Sequence, residues 1–183
     1  MIIISIADQK LYKLDERGNE TSSYIISSAK NGIGQAEGSY QTPLGLHYIT
    51  ELYGHGAKLN TVFVGRVPTG ETYCTDLAKT FPDRDWILTR IIRFSGLEPG
   101  FNQGGSVDTY ARYIYIHGCP DGTKLGTPGS HGCIRMSNSD LTILFDSVVM
   151  GEIIYITAAE FDKSILLEIN NKTKSFVYTD GNL

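Results

Sequence analysis

The sequence predicts a mainly β domain with one or two short helices, and two observations predict it. Short runs of β-branched and aromatic residues recur along the chain, the types that fit a pleated, half-buried surface. Between them stand clusters of Gly, Pro, Asp and Asn, which continue neither a strand nor a helix. No internal repeat, low-complexity segment or shift in composition divides the chain, so 1–183 reads as a single domain. A chain of 183 residues can bury roughly 70% of its unfolded surface, enough for a core without staples.

Ile2 to Ala7 reads as a first strand, and Asp8-Gln9 turns it into Lys10 to Leu14. There Leu11 and Lys13 share one face, and Tyr12 and Leu14 the other. Glu16 to Asn19 is a turn and Tyr24 to Ser28 a third strand. Between Ala29 and Gly45, Gly32, Gly34 and Gly38 are spaced G-x-G-x-x-x-G with no Lys-Ser or Lys-Thr after them. That is neither a dinucleotide fingerprint nor a phosphate-binding loop, so the segment reads as a long connection. Leu46 to Glu51 and Thr61 to Val67 are further strands, and the apolar run Trp86 to Phe94 fits a strand or a helix. Ser95 to Ser106 is Gly-rich, a long loop of the kind that serves as a lid or binding loop. Tyr113 to Ile116 is a strand ending on His117-Gly118. Ser139 to Phe145 is a short helix with Ser137 or Ser139 as N-cap and Asp140 at its positive end, and Gly151 stops it. Glu152 to Thr157 is a strand, and Ser164 to Ile169 and Lys174 to Tyr178 make 158–183 the closing strands of the same domain.

Bulk numbers exclude several functions. A net charge of -4 and a pI near 5.5 leave no basic face for nucleic acid. Three cysteines cannot form a complete disulfide framework, so at least one thiol is free. No window approaches the ~18 apolar residues of a membrane span. The first residues carry no secretory signal, which implies a cytoplasmic protein if Met1 is the native start and a periplasmic one if the N-terminus has been trimmed. No residue pattern calls for a cofactor, and none speaks to the oligomeric state.

The chemistry gathers in residues 113–136, YIYIHGCPDGTKLGTPGSHGCIRM. A histidine at a strand end and a cysteine after a Gly-rich turn are the parts of a thiolate nucleophile with an imidazole base. Cys133 is the candidate nucleophile; a histidine, or the N-terminus of the helix that follows, would lower its pKa. His117 and His131 both qualify as base. His131 stands two residues from Cys133 and shares its face in an extended stretch, while Gly118, Gly126, Gly129 and Gly132 let the loop bring His117 back. We favour His117, with His131 structural or on the substrate side. Gly132 lets backbone amides aim at a developing oxyanion, where each donor is worth ~3 kcal/mol. Arg84, Arg90, Arg93, Arg112 and Arg135 crowd the approach to Cys133 or lie just past it, as carboxylate recognition would want, and Arg135 is the strongest single candidate.

Two rival readings use the same residues. His117-x-Cys119 and His131-x-Cys133 could supply a zinc ion with two nitrogens and two sulfurs, although such pairs lack the usual chelating turn. Alternatively the cysteines are small apolar packing residues, which suits Cys74. Cys119 reads as packing or as an oxidation partner of Cys133, and His47 and His55 have no partner pattern.

The stretch His117-Gly118 … Ser130-His131-Gly132-Cys133-Ile134-Arg135 resembles the signature of the L,D-transpeptidase (YkuD) catalytic domain. Residues 2–12, Thr42-Pro43-Leu44-Gly45, and Leu144-Phe145-Asp146 through Gly151 to Ile156 resemble further parts of that domain, so the likeness covers most of 2–157. The resemblance implies a β-sandwich or flattened barrel with a cleft. It implies Cys133 as nucleophile, His117 as base oriented by the Gly118 carbonyl, and amides at Gly132 and Cys133 as the oxyanion hole. Ser130, His131, Arg112, Arg135 and Tyr115 would touch the substrate, a peptidoglycan stem tetrapeptide. Attack on the carbonyl of residue 3, typically diaminopimelate, would release the terminal D-alanine and leave a thioester. An amine would then give a 3→3 cross-link, or water a trimmed stem. The long, arginine-rich region Cys74–Asp108 and the missing leader make a strictly hydrolytic L,D-carboxypeptidase of murein recycling the alternative. A non-catalytic wall-binding module is the alternative of another class.

Overall fold

The computed structural model describes residues 1–179, with side chains through residue 173. Ten strands make one sheet: β1 (Ile2–Ser5), β2 (Lys10–Leu14), β3 (Glu20–Ser27), β4 (Gly45–Tyr53), β5 (Thr61–Val64), β6 (Val67–Thr72), β7 (Ile87–Gly96), β8 (Tyr115–Gly118), β9 (Ile134–Met136) and β10 (Ile153–Thr157). Three helices accompany them: α1 (Thr75–Thr80), α2 (Asn138–Ser147) and α3 (Ile165–Thr179). The order β4-β10-β1-β2-β3-β9-β8-β7 closes on itself because β7 also pairs with β4. The result is a closed, mostly antiparallel barrel with no free edge along that ring. Only β1–β10 and β8–β9 are parallel pairs. The β5–β6 hairpin is appended to the start of β7, at Leu88↔Val62.

Alternation along the strands explains the core. Ile2 and Ile4 join Leu11, Ile26, Ile92, Phe94, Ile116, Ile134 and Met136 in one apolar cluster, completed by Leu141, Leu144 and Phe145 of α2. Ile3, on the opposite face, joins Leu14, Leu46, Tyr155 and two residues of α3, Ile165 and Ile169. A strand buried on both faces reads as a continuous apolar run, which is why Ile-Ile-Ile opens the chain.

The structure corrects two expectations about elements and decides two that were open. Where two closing strands were expected, at Ser164–Ile169 and Lys174–Tyr178, α3 stands; residues 180–183 of that expectation lie outside the described residues. Ile165 and Ile169 are four apart, helical spacing, and the closed ring offers a further strand no edge, only an outer face to cover. Thr61–Val67 is a hairpin rather than one strand, turned at Gly65-Arg66 with φ of 54° and 69°. Trp86–Phe94 resolves as a strand, bulged between Leu88 and Ile91 at Thr89, whose φ is 70°. Ser95–Ser106 is no lid over the cleft described below. Its Asn102 is fully buried and donates to the Leu44 and Leu46 carbonyls, both at 3.0 Å, which ties the loop to the start of β4.

Candidate active site

The parallel pair β8–β9 brings the two halves of residues 113–136 together, in the register Ile116↔Ile134 and His117↔Arg135. Ile116, Ile134 and Met136 point into the core, so alternation sends His117, Arg135 and, two residues before it, Cys133 to the other face. There they line one cleft of about 680 Å³. Gly118 is required for space rather than for φ. A Cβ there would meet the Leu88 carbonyl oxygen at 2.7 Å and overlap the Asn138 side chain, which anchors α2. Gly132 is required for conformation, with a φ of 133° and Ile114 Cδ1 only 2.8 Å from where a Cβ would stand.

His117 is 1% exposed, and its Nδ1 lies 2.9 Å from the Gly118 carbonyl oxygen. A carbonyl only accepts, so Nδ1 carries the proton and Nε2 is the basic nitrogen. Burial pushes the imidazole pKa below its usual value, against the Gly118 hydrogen bond and the charge of Asp85. The Cys133 thiol is pushed up to about 12, first by burial and also by Asp85, against the Tyr115 amide and the charges of Arg135 and Arg112. The Tyr115 N–H donates to the sulfur at 3.4 Å, and the thiol donates to the Tyr113 carbonyl at 3.5 Å. The imidazole and the thiol are therefore both neutral at rest. The expected help from a helix terminus is absent. The start of α2 is capped by Ser137, and β9 holds it away from Cys133 by roughly 10 Å at ~3.3 Å per residue.

The other sequence candidates divide. Ser130 accepts from the Gly132 amide at 3.2 Å and donates to the Cys133 carbonyl at 2.5 Å. The amide at Gly132, expected to face an oxyanion, is thus occupied by a hydroxyl two residues back. His131 stands at the rim, Nδ1 3.2 Å from Asp85 Oδ2 and its ring edge-on to Tyr40 at 6.0 Å. Arg135 binds the same carboxylate at 2.7 Å and the Gly129 carbonyl at 3.0 Å. Arg112 donates to the Gly34 and Gln41 carbonyls at 3.2 and 2.6 Å. Both forks expected to take substrate are engaged by the protein, Arg135 by a carboxylate and Arg112 by two carbonyls. Arg84, Arg90 and Arg93 do not line the cleft; they pair with Glu71, with the Ala57 carbonyl and with Glu51. Tyr115 keeps its ring buried and its hydroxyl on Arg66 at 2.9 Å.

Asp85, Arg66, Tyr113 and Tyr40 line the cleft and escaped the sequence reading. Asp85 precedes an apolar run and Arg66 sits in a tight turn, and neither has a spacing that ties it to Cys133. Burial works to raise the Asp85 pKa, but the Arg135 charge and the His131 hydrogen bond outweigh it and hold the carboxyl low. The zinc reading finds no ligand set: Cys119 donates to the Met136 carbonyl at 3.2 Å, and among the described residues no three metal-binding side chains stand together. No helix among them is long and apolar enough to cross a membrane.

The profile of the YkuD L,D-transpeptidase catalytic domain matches residues 1–156. The chain belongs to the L,D-transpeptidase catalytic-domain family. No curated protein matches it by sequence. Among solved structures it resembles the L,D-transpeptidase from Mycobacterium smegmatis, at 17% identity and a TM-score of 0.51 over 86% of this chain and 58% of that one. It also resembles L,D-transpeptidase 3 from Mycobacterium tuberculosis, at 17% identity and a TM-score of 0.51 over 85% and 60% of the two chains. Bd1075 of Bdellovibrio bacteriovorus is similar at 18% identity and a TM-score of 0.54 over 97% and 55%. The chain thus spans a little under two thirds of these structures at most, and the likeness is one of fold. The closed sheet described above is the L,D-transpeptidase barrel.

Proposed function

We propose that this L,D-transpeptidase domain is a cysteine acyltransferase acting on peptidoglycan stem tetrapeptides. The observation that carries the reading is the His117 tautomer. Nδ1–H is held by the Gly118 carbonyl, which leaves a neutral, basic Nε2 in the same cleft as the Cys133 thiol. As Cys133 Sγ attacks the carbonyl of residue 3, its proton passes to Nε2. The sulfur–carbon bond forms, the amide C–N bond breaks, and the proton goes to the departing D-alanine amine. A thioester remains. An incoming stem amine, deprotonated by His117, or water then displaces the thiol. A thiol pKa near 12 favours proton transfer during attack over a standing thiolate. The Tyr115 amide, already on the sulfur, stabilises the charge that develops there.

The test is mass spectrometry of a defined tetrapeptide with and without an amine acceptor. D-alanine release with a dimer marks transpeptidation; a tripeptide alone marks the hydrolytic form. Cys133→Ala is expected to stay folded and release nothing. Turnover by that variant sinks the proposal.

A further inference from the structure

Three guanidinium groups line the cleft, and they are unequally occupied. Arg135 is ion-paired with Asp85 at 2.7 Å. Arg112 is spent on the Gly34 and Gln41 carbonyls and the Ser39 hydroxyl, and it feels the charge of Glu37. Glu37 and Asp85 are the carboxylates of the cleft: Asp85 forms an ion pair with Arg135, and Glu37 acts on Arg112 through charge alone. Arg66 pairs with neither. It donates to the Tyr115 hydroxyl at 2.9 Å, also reaches Tyr53, and lies 5.5 Å over the Tyr113 ring. Phenols and ring faces are neutral, and among the described residues Arg66 has no carboxylate partner. A guanidinium has five N–H donors in a fork made for carboxylates, and two phenols leave donors over.

Its backbone sharpens the point. Arg66 is the second residue of the two-residue turn between β5 and β6, at φ 69°, where Gly or Asn is favoured and a long side chain is strained. A disfavoured residue persists where something else selects it. The turn aims Arg66 at Tyr113 and Tyr115, the two residues whose backbone grips the Cys133 sulfur.

We infer that Arg66 is the carboxylate-binding residue of this cleft, holding a free carboxylate of the acyl donor beside Cys133. The inference rests on the stem-peptide reading above. Two carboxylates of a tetrapeptide qualify, the terminal one on the leaving residue and the side-chain one on residue 3, and substrate amidation separates them.

Three peptides are compared: both carboxylates free, C-terminus amidated, and residue 3 amidated on its side chain. Arg66→Gln is expected to lower kcat/KM for the free peptide about 10- to 100-fold, as loss of a charge-assisted bond does. With one of the two amidated peptides, wild type and Arg66→Gln become equal. That peptide names the carboxylate. Arg66→Lys recovers part of the loss, and Arg66→Gly melts no lower than wild type, because Gly suits the turn. Equal losses on all three peptides, or none, overturn the inference. Peptide affinities of Cys133→Ala and Cys133→Ala/Arg66→Gln are measured by calorimetry in parallel. Arg66-dependent binding without wild-type turnover keeps the carboxylate site and rejects the reaction; absence of binding rejects both.

Discussion

The proposed nucleophile and base, both neutral at rest, should leave a signature in pH. His117 must be unprotonated to accept the thiol proton, and burial holds its pKa below the usual imidazole value. The acid limb of kcat/KM should therefore fall below pH ~6.5. In His117→Gln, alkylation of Cys133 by iodoacetamide should keep rising past pH 9, since the thiol titrates near 12; a plateau near pH 8.5 would contradict that burial. Asp85 sits between the two groups electrostatically, raising both pKa values. Asp85→Asn should thus move the acid limb to lower pH and speed alkylation at fixed pH. It also frees His131 and Arg135, which share its carboxylate. A limb that stays still or moves up would show that Asp85 only fastens the rim.

At the scale of elements, Asn138 positions the site, while α3 covers the far face of the barrel. Asn138 opens α2, accepts from the Thr89 hydroxyl at 2.6 Å and donates to the Cys119 carbonyl at 2.9 Å, so it joins the β7 bulge, the end of β8 and the helix. Asn138→Ala leaves buried partners unsatisfied and should cost about 2–3 kcal/mol in urea unfolding. It should also lower turnover, because Gly118 packs on that side chain and His117 is oriented by Gly118. On the other side of the barrel, Ile169 of α3 is 3% exposed against Ile3, Leu46 and Tyr155. Ile169→Ala should cost about 2–4 kcal/mol while sparing kcat, since α3 lies outside the cleft. Loss of activity without loss of stability would mean that α3 reaches the site.

For the whole molecule, acid should act through His47. This residue of β4 is fully buried, with Nδ1 on the Gly45 carbonyl at 3.0 Å and Nε2 on the Thr109 hydroxyl at 3.1 Å. Burial drives its pKa down to about 3, so the unfolded chain binds the proton that the folded chain refuses. Stability is fully present above pH ~6.5 and declines as pH falls toward 3, by about 3 kcal/mol at pH 4. Unfolding titrations of wild type and His47→Gln between pH 7 and 4 should differ in slope, the variant being flatter. Parallel slopes would assign the acid sensitivity to other groups.

The candidate pair and the barrel strands were legible because each announces itself locally. Ser130-His131-Gly132-Cys133 and His117-Gly118 carry their chemistry in a few adjacent residues, and apolar runs such as Ile2-Ile3-Ile4 state their burial directly. Sheet closure, the helix α3 and the partners of each arginine were not, because they depend on which segments meet. Ile165 and Ile169 become a helix face only when the β4–β7 pairing closes the ring. Asp85, 48 residues before Cys133 along the chain, and Arg66, 67 residues before it, enter the site only through contacts across the fold. Composition and spacing determine which atoms can react; long-range packing decides their protonation, since burial and neighbouring charge are properties of the assembled cleft.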